Sequence, residues 1–237
     1  MHKVPLQEIQ DLRDLYLQEI TFQFVHNKCH GAGWADTYKF SMGNNKVGYG
    51  SVWGKDNRKD RDTIFEFYLL NPYRKFANII IPQFITTSGA GFIECQTNNN
   101  FQSEIMFEYA QNIYAEAILF EDCFQTQLNI PGTVFKKNEN NNVGPEYVLE
   151  HAGQMVASGG YVRNYNFPFF DIYYEVKEDQ RKKGFGSLIT QELKREAYRL
   201  KRVPAARCNV KNHASKATLL KAGMRVCGYM LIGDIAL

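Results

Sequence analysis

The sequence predicts a mixed α/β fold of the α+β kind: a mostly antiparallel sheet flanked by helices, laid down twice as two fused halves. Three observations carry that expectation. Apolar residues switch along the 237-residue chain between helical spacing and strand-like alternation. Hairpin signals stand once before residue 55 and once after residue 145. Each hairpin is followed by the same order of strand, helix, strand, helix and strand.

In chain order, Leu6, Ile9, Leu12, Leu15 and Tyr16 recur at helical spacing and predict an amphipathic helix over residues 4–20. Strands at 37–42 and 47–53 flank a turn at Gly43–Lys46. A third strand is expected at Thr63–Leu70, a helix at Arg74–Thr86 interrupted by Pro82, a strand at Phe92–Cys95 and a helix at Phe101–Tyr109. Strand-like segments follow at 115–120 and 132–135. The polar, Asn-rich, Pro-ended stretch before Glu146 is the best linker, so the expected halves are residues 1–137 and 146–237, joined by 138–145. The second half repeats the order: a hairpin at 146–150 and 155–162, a strand at Asp171–Val176, a helix at Ser187–Arg202, a strand at Ala205–Val210, a helix at His213–Ala222 and strand to the end. An offset of 107 sets Arg74 on Arg181, and an offset of 113 sets Cys95 on Cys208.

Composition excludes several classes. Hydrophobic residues at 44% and charged residues at 22% are enough for a packed core and unlike a disordered tail. The 28 basic and 25 acidic residues leave a net +3, which argues against a wholesale nucleic-acid binder and allows a local anion site. No apolar run approaches the roughly 18 residues that cross a bilayer, and the first residues lack the apolar core of a signal peptide, so a cytoplasmic protein is expected. Cys29, Cys95, Cys123, Cys208 and Cys227 are scattered without a C-x-x-C pair, so neither a disulfide framework nor a zinc ribbon is indicated. His26, Cys29 and His30 crowd together, but no second cluster stands at zinc-ligand spacing, and no metal is expected.

The chemistry concentrates at Arg181, Lys182, Lys183, Gly184, Phe185, Gly186 and Ser187, between a strand and a helix. Glycines there let a ligand approach the backbone, and unpaired N–H groups of the first helical turn attract phosphate oxygens. Ile189, Leu193, Ala197 and Leu200 make the apolar stripe of that helix, with Gln191, Lys194 and Arg195 facing elsewhere. Neither a P-loop nor a dinucleotide fingerprint fits, because no lysine separates Gly186 from Ser187 and Ile189 stands where a third small residue belongs.

Arg-x-x-Gly-x-Gly at 181–186, the strand ending at Val176, the strand at 207–210 and the stretch Asn212–Gly223 together resemble motifs A and B of the GNAT superfamily of N-acetyltransferases. The resemblance covers residues 146–237 and implies an acetyl-CoA site. By position, Val176 and residues 181–187 would hold pantetheine and pyrophosphate, and Asn212 would reach the coenzyme arm. Against Gly184 and Gly186 the first half has Ala77 and Ile79, so it is similar to the degenerate half of a tandem GNAT protein. The implied reaction is transfer of an acetyl group to a primary amine of a small molecule or protein by direct attack. The chain would be a monomer with pseudo-dimeric halves, or a homodimer. A non-catalytic acyl-CoA-binding module is the alternative.

A lysine-like amine is only about one part in a few thousand neutral at pH 7, so a base is needed. Asp171, Tyr173 and Glu175 alternate onto one strand face; Glu175 is the first candidate and Asp171 the second. The tyrosine that many GNAT enzymes carry four residues before the motif B glycine is Leu219 here, and Tyr229 is the candidate substitute. Cys208 reads as a buried thiol. Tyr147, Tyr161, Tyr165, Phe167, Phe169 and Phe170 form either an acceptor pocket or a core seam.

Overall fold

A computed structural model describes residues 1–138 and 144–236. Its contacts divide into two compact units, Met1–Glu116 with Tyr229–Leu237, and Ala117–Gly228.

In the first unit the strands β1 (His2–Val4), β2 (Asp36–Met42), β3 (Asn45–Trp53), β4 (Thr63–Leu69), β5 (Phe92–Gln96) and the end of β12 (Met224–Ile235) lie in that order. Neighbours are antiparallel except β4 and β5, which are parallel with Thr63 opposite Phe92 and Ile64 opposite Ile93. The expected hairpin is present, with Gly43 at φ 58 in a two-residue turn. The expected helix over 4–20 is shorter. Pro5, extended at φ −61 and ψ 150, separates β1 from a 3-10 turn at Leu6–Ile9, and α1 runs Gln10–Glu19. The short α2 (Asn27–Gly31) has too few residues for periodicity to reveal. Pro82 does not end α3 (Ala77–Ser88), which continues through it. Every residue of β4 is buried, because Phe65 and Tyr68 pack with α1 and α2 while Phe67 and Leu69 pack with α3 and α4 (Asn100–Tyr109).

In the second unit the order is β6 (Ala110–Asp122), β11 (Val203–Asn209), β10 (Phe169–Val176), β9 (Gln154–Val162), β8 (Tyr147–His151), β7 (Thr133–Lys137). The stretch expected as a linker joins β7 to β8, which pair antiparallel from Lys137 opposite Tyr147. Its residues 139–143 lie outside the described residues. The compact units therefore do not divide at 137 and 146: a polar Asn-rich stretch marks a loop, and a hairpin loop has the same composition as a linker. The chain also exchanges strands. β6, which follows the helices of the first unit, pairs through Ala117–Glu121 with β11, and β12, which follows those of the second, pairs through Met230–Asp234 with β5. An offset of 107 carries Leu69, the end of β4, onto Val176, the end of β10.

The helix α5 (Phe185–Arg199) buries Phe185, Leu188, Ile189, Leu193 and Ala197 against the sheet, so most of the expected stripe packs there; Leu200, 40% exposed, lies beyond the helix. The side opposite the stripe, where spacing places Gln191, Lys194 and Arg195, is not simply turned to solvent. Gln191 and Lys194 are buried: Gln191 accepts from the Leu128 N–H at 2.6 Å, and the Lys194 ammonium lies 2.5 Å from Asp122 and donates to the carbonyls of Phe124 and Ala222. The segment after β6 thus covers the face that amphipathicity assigns to solvent.

Candidate functional site

The motif residues occupy one end of the second unit. β10 ends at Val176, a 3-10 turn at Glu178–Gln180 reverses the chain, and α5 opens after Gly184. Lys182 at φ 62 and Gly184 at φ 90 both take left-handed backbone, which swings the chain back over the strand end. No side chain caps α5, so its first N–H groups are left for a ligand. Arg181, Lys182 and Lys183 are exposed; the Arg181 guanidinium donates to the Val176 carbonyl at 3.3 Å and the Lys183 ammonium to Gln180 at 3.0 Å. A Cβ at Gly186 would stand 3.1 Å from the Thr218 methyl, so a side chain there would press on α6 (His213–Lys221), which packs close to α5 at this glycine.

The sheet itself opens beside this turn. β10 and β11 are parallel partners only at Phe169, Phe170 and Asp171, opposite Val203, Pro204 and Ala205. Beyond that point β10 stays paired to β9 as far as Val176 opposite Ala157, and β11 to β6 as far as Asn209 opposite Ala117. The facing edges of residues 172–176 and 206–209 are thus splayed apart, exposing backbone donors and acceptors that an extended amide chain can pair with.

Asn212 caps α6, its Oδ1 accepting the Ser215 N–H at 3.0 Å, which leaves its amide N–H groups to donate elsewhere. On β10, Glu175 is exposed, whereas Asp171 is buried with its Oδ2 3.4 Å from the Arg207 guanidinium. Arg207 also donates to the Tyr165 hydroxyl at 2.6 Å, and burial together with the Asp171 carboxylate pushes that phenol up. Asp171 is therefore bound into a structural triad with Arg207 and Tyr165. Tyr229 falls in the first unit, its N–H donating to Thr97 Oγ1 at 2.8 Å. Leu219 is a core residue at 1% exposure, and burial raises the Cys208 thiol.

Sequence reading missed Tyr174. It sits on the splayed part of β10, on the face turned to α5 and α6, and its hydroxyl lies 3.2 Å from Ser215 Oγ in the first turn of α6. The signal was available: alternation places it with Phe170, Ile172 and Val176 on an otherwise apolar face. Of the aromatic cluster, Tyr147, Tyr161 and Phe170 are core, while Phe167 is 75% exposed beneath the Arg202 guanidinium at 4.7 Å.

Comparison with solved structures turns on this architecture. A GNAT-family acetyltransferase from Colwellia psychrerythraea superposes with a TM-score of 0.76 over 99% of both chains at 14% identity. The chain has the GNAT acetyltransferase fold. A tandem GNAT protein from the clavulanic acid biosynthesis pathway matches at a TM-score of 0.62 and 8% identity, over 98% of this chain and 95% of its own. A GCN5-related N-acetyltransferase from Sphaerobacter thermophilus matches at 0.55 and 10% identity, over 86% and 81%. No protein-family model and no curated protein matches the sequence. Within this GNAT-fold chain, no group of three or more His, Cys, Asp or Glu among the described residues is placed to hold a metal ion. No helix among them is long and apolar enough to cross a membrane.

Proposed function

We propose that the chain is a coenzyme A-dependent N-acetyltransferase whose acyl-CoA site lies in the second unit. The observation that carries this reading is the pairing of β10 and β11, which stops at Asp171 beside an uncapped helix start bearing glycines and three successive cations. An extended pantetheine arm fits the open strand edges, and a pyrophosphate fits the N–H groups of α5 with Arg181, Lys182 and Lys183 around it. Acetyl-CoA supplies an activated acyl thioester. The amine acceptor stays open, a small molecule or a protein amino group, in a cytoplasmic setting that free Cys29, Cys95, Cys123, Cys208 and Cys227 suit.

In this reading Glu175, the exposed carboxylate at the end of β10, takes the proton of the incoming ammonium, because Asp171 is committed to Arg207. A new N–C bond forms as the C–S bond breaks. An N–H on the open edge of β10 meets the negative charge that develops on the acyl oxygen. The departing thiolate takes its proton from the Tyr174 hydroxyl, a role we assign to it in place of Tyr229, and the second proton that the amide nitrogen sheds restores the phenol through solvent.

Replacing Glu175 by Gln should lower kcat about a hundredfold while acetyl-CoA binds within about twofold of wild type. Tyr174→Phe should lower kcat about tenfold with the same unchanged affinity. Turnover of acetyl-CoA across an amine panel, followed by thiol release, checks both. The buried Leu219 favours a second reading, a binding module without catalysis; tight acetyl-CoA binding with no turnover over the whole panel would establish that reading and remove ours.

A further inference from the structure

The first unit contains a recess of about 420 Å³ that has no part in the acyl-CoA reading. Val4, Leu6 and Ala35 supply apolar wall, and Lys3, His30 and Asp36 supply polar atoms. The volume lies in the range that small ligands occupy.

His30 is held from behind. Its Nε2 is 2.8 Å from Oε2 of Glu66, a carboxylate with no exposure. The other oxygen, Oε1, lies 3.2 Å from Arg13 Nε and accepts a hydrogen bond from the Tyr49 hydroxyl. A carboxylate beside a buried guanidinium stays ionised and is acceptor-only, so the proton of that contact sits on Nε2 of the imidazole. Nδ1 is then the ring's remaining polar atom.

The rim carries an excess of positive charge. Asp36 is paired both with Lys3 at 2.6 Å and with Arg61 at 3.4 Å, so two cations share one carboxylate. Beneath the floor, Arg13 and Glu66 cancel. A ligand that completes this arrangement brings a single negative charge and an apolar body.

We propose that the recess binds a small aliphatic carboxylate, its oxygens taken by Lys3 and by a protonated His30 Nδ1 and its chain laid on Val4, Leu6 and Ala35. An imidazolium donates from both ring nitrogens, so with Nε2 turned to the Glu66 carboxylate the Nδ1–H is the donor left for the ligand. The charged and titratable groups facing or bonded to this cluster from the surrounding elements are Lys3, Arg13, Asp36, Tyr49, Arg61 and Glu66, and of these the Glu66 carboxylate is the one bonded to the ring.

Calorimetric titration of the full chain at pH 7.5 with hexanoate, hexylamine and hexanol, without coenzyme, tests this. Hexanoate should bind at least about tenfold more tightly than the amine or the alcohol. His30→Gln should weaken hexanoate binding about tenfold. Ala35→Trp, which fills the recess without touching the buried charges, should block binding while the melting transition is kept. Preference for hexylamine or hexanol, binding untouched by Ala35→Trp, or no hexanoate binding at millimolar concentration would each overturn the proposal, whatever the second unit does with acetyl-CoA.

Discussion

Replacing Gly184 by Glu is expected to weaken acetyl-CoA binding by at least about a hundredfold, which is roughly 3 kcal/mol, while the protein stays folded. Two effects separate cleanly at this position. A carboxylate at a helix start interacts favourably with the helix dipole, so α5 itself does not suffer electrostatically. The same charge sits where the proposed pyrophosphate must lie against the first N–H groups, and there it repels. Gly184 also holds φ 90, so any side chain adds about 1–2 kcal/mol of backbone strain. Gly184→Ala carries that strain without the charge and should lose about tenfold or less. Titration of acetyl-CoA into both variants, with circular dichroism as the fold check, measures the difference. Wild-type affinity in Gly184→Glu would remove the coenzyme from this turn.

The candidate site is legible in the sequence as far as its proposed chemistry is local. Glycines at 184 and 186, the cations before them and the apolar stripe of α5 lie within one strand-turn-helix, so spacing alone relates them. What sequence could not reach depends on pairing between distant segments. Asp171 looked like a second candidate base because nothing local shows that β11 brings Arg207 against it. Lys194 and Gln191 looked solvated because the segment that covers them follows β6, far upstream of α5. Strand exchange is hidden for the same reason. A strand's alternation says which face is apolar and nothing about which edge it joins, so β6 and β12 read as closing strands of their own halves while each completes the other unit's sheet.

Glu66→Gln is expected to lower the stability of the first unit by about 3–5 kcal/mol at pH 7, because it leaves the buried Arg13 guanidinium without its counter-charge. The acid dependence of stability should change with it. Burial alone would raise the Glu66 carboxyl, but Arg13 and His30 outweigh that and hold it at about 2, below the usual 4.5. A carboxyl depressed on folding binds more protons in the unfolded chain, so it contributes stability in full above about pH 4.5 and loses it as pH falls toward 2. The separation corresponds to about 3 kcal/mol. Denaturant unfolding at pH 7 and at pH 3 should therefore show wild type losing more stability than Glu66→Gln between the two, with the gap between the proteins narrowing in acid. Equal loss in both would mean that Glu66 is not ionised in the folded protein. Without that ionised carboxylate, neither the buried cluster nor the orientation of His30 toward the recess would have its electrostatic cause.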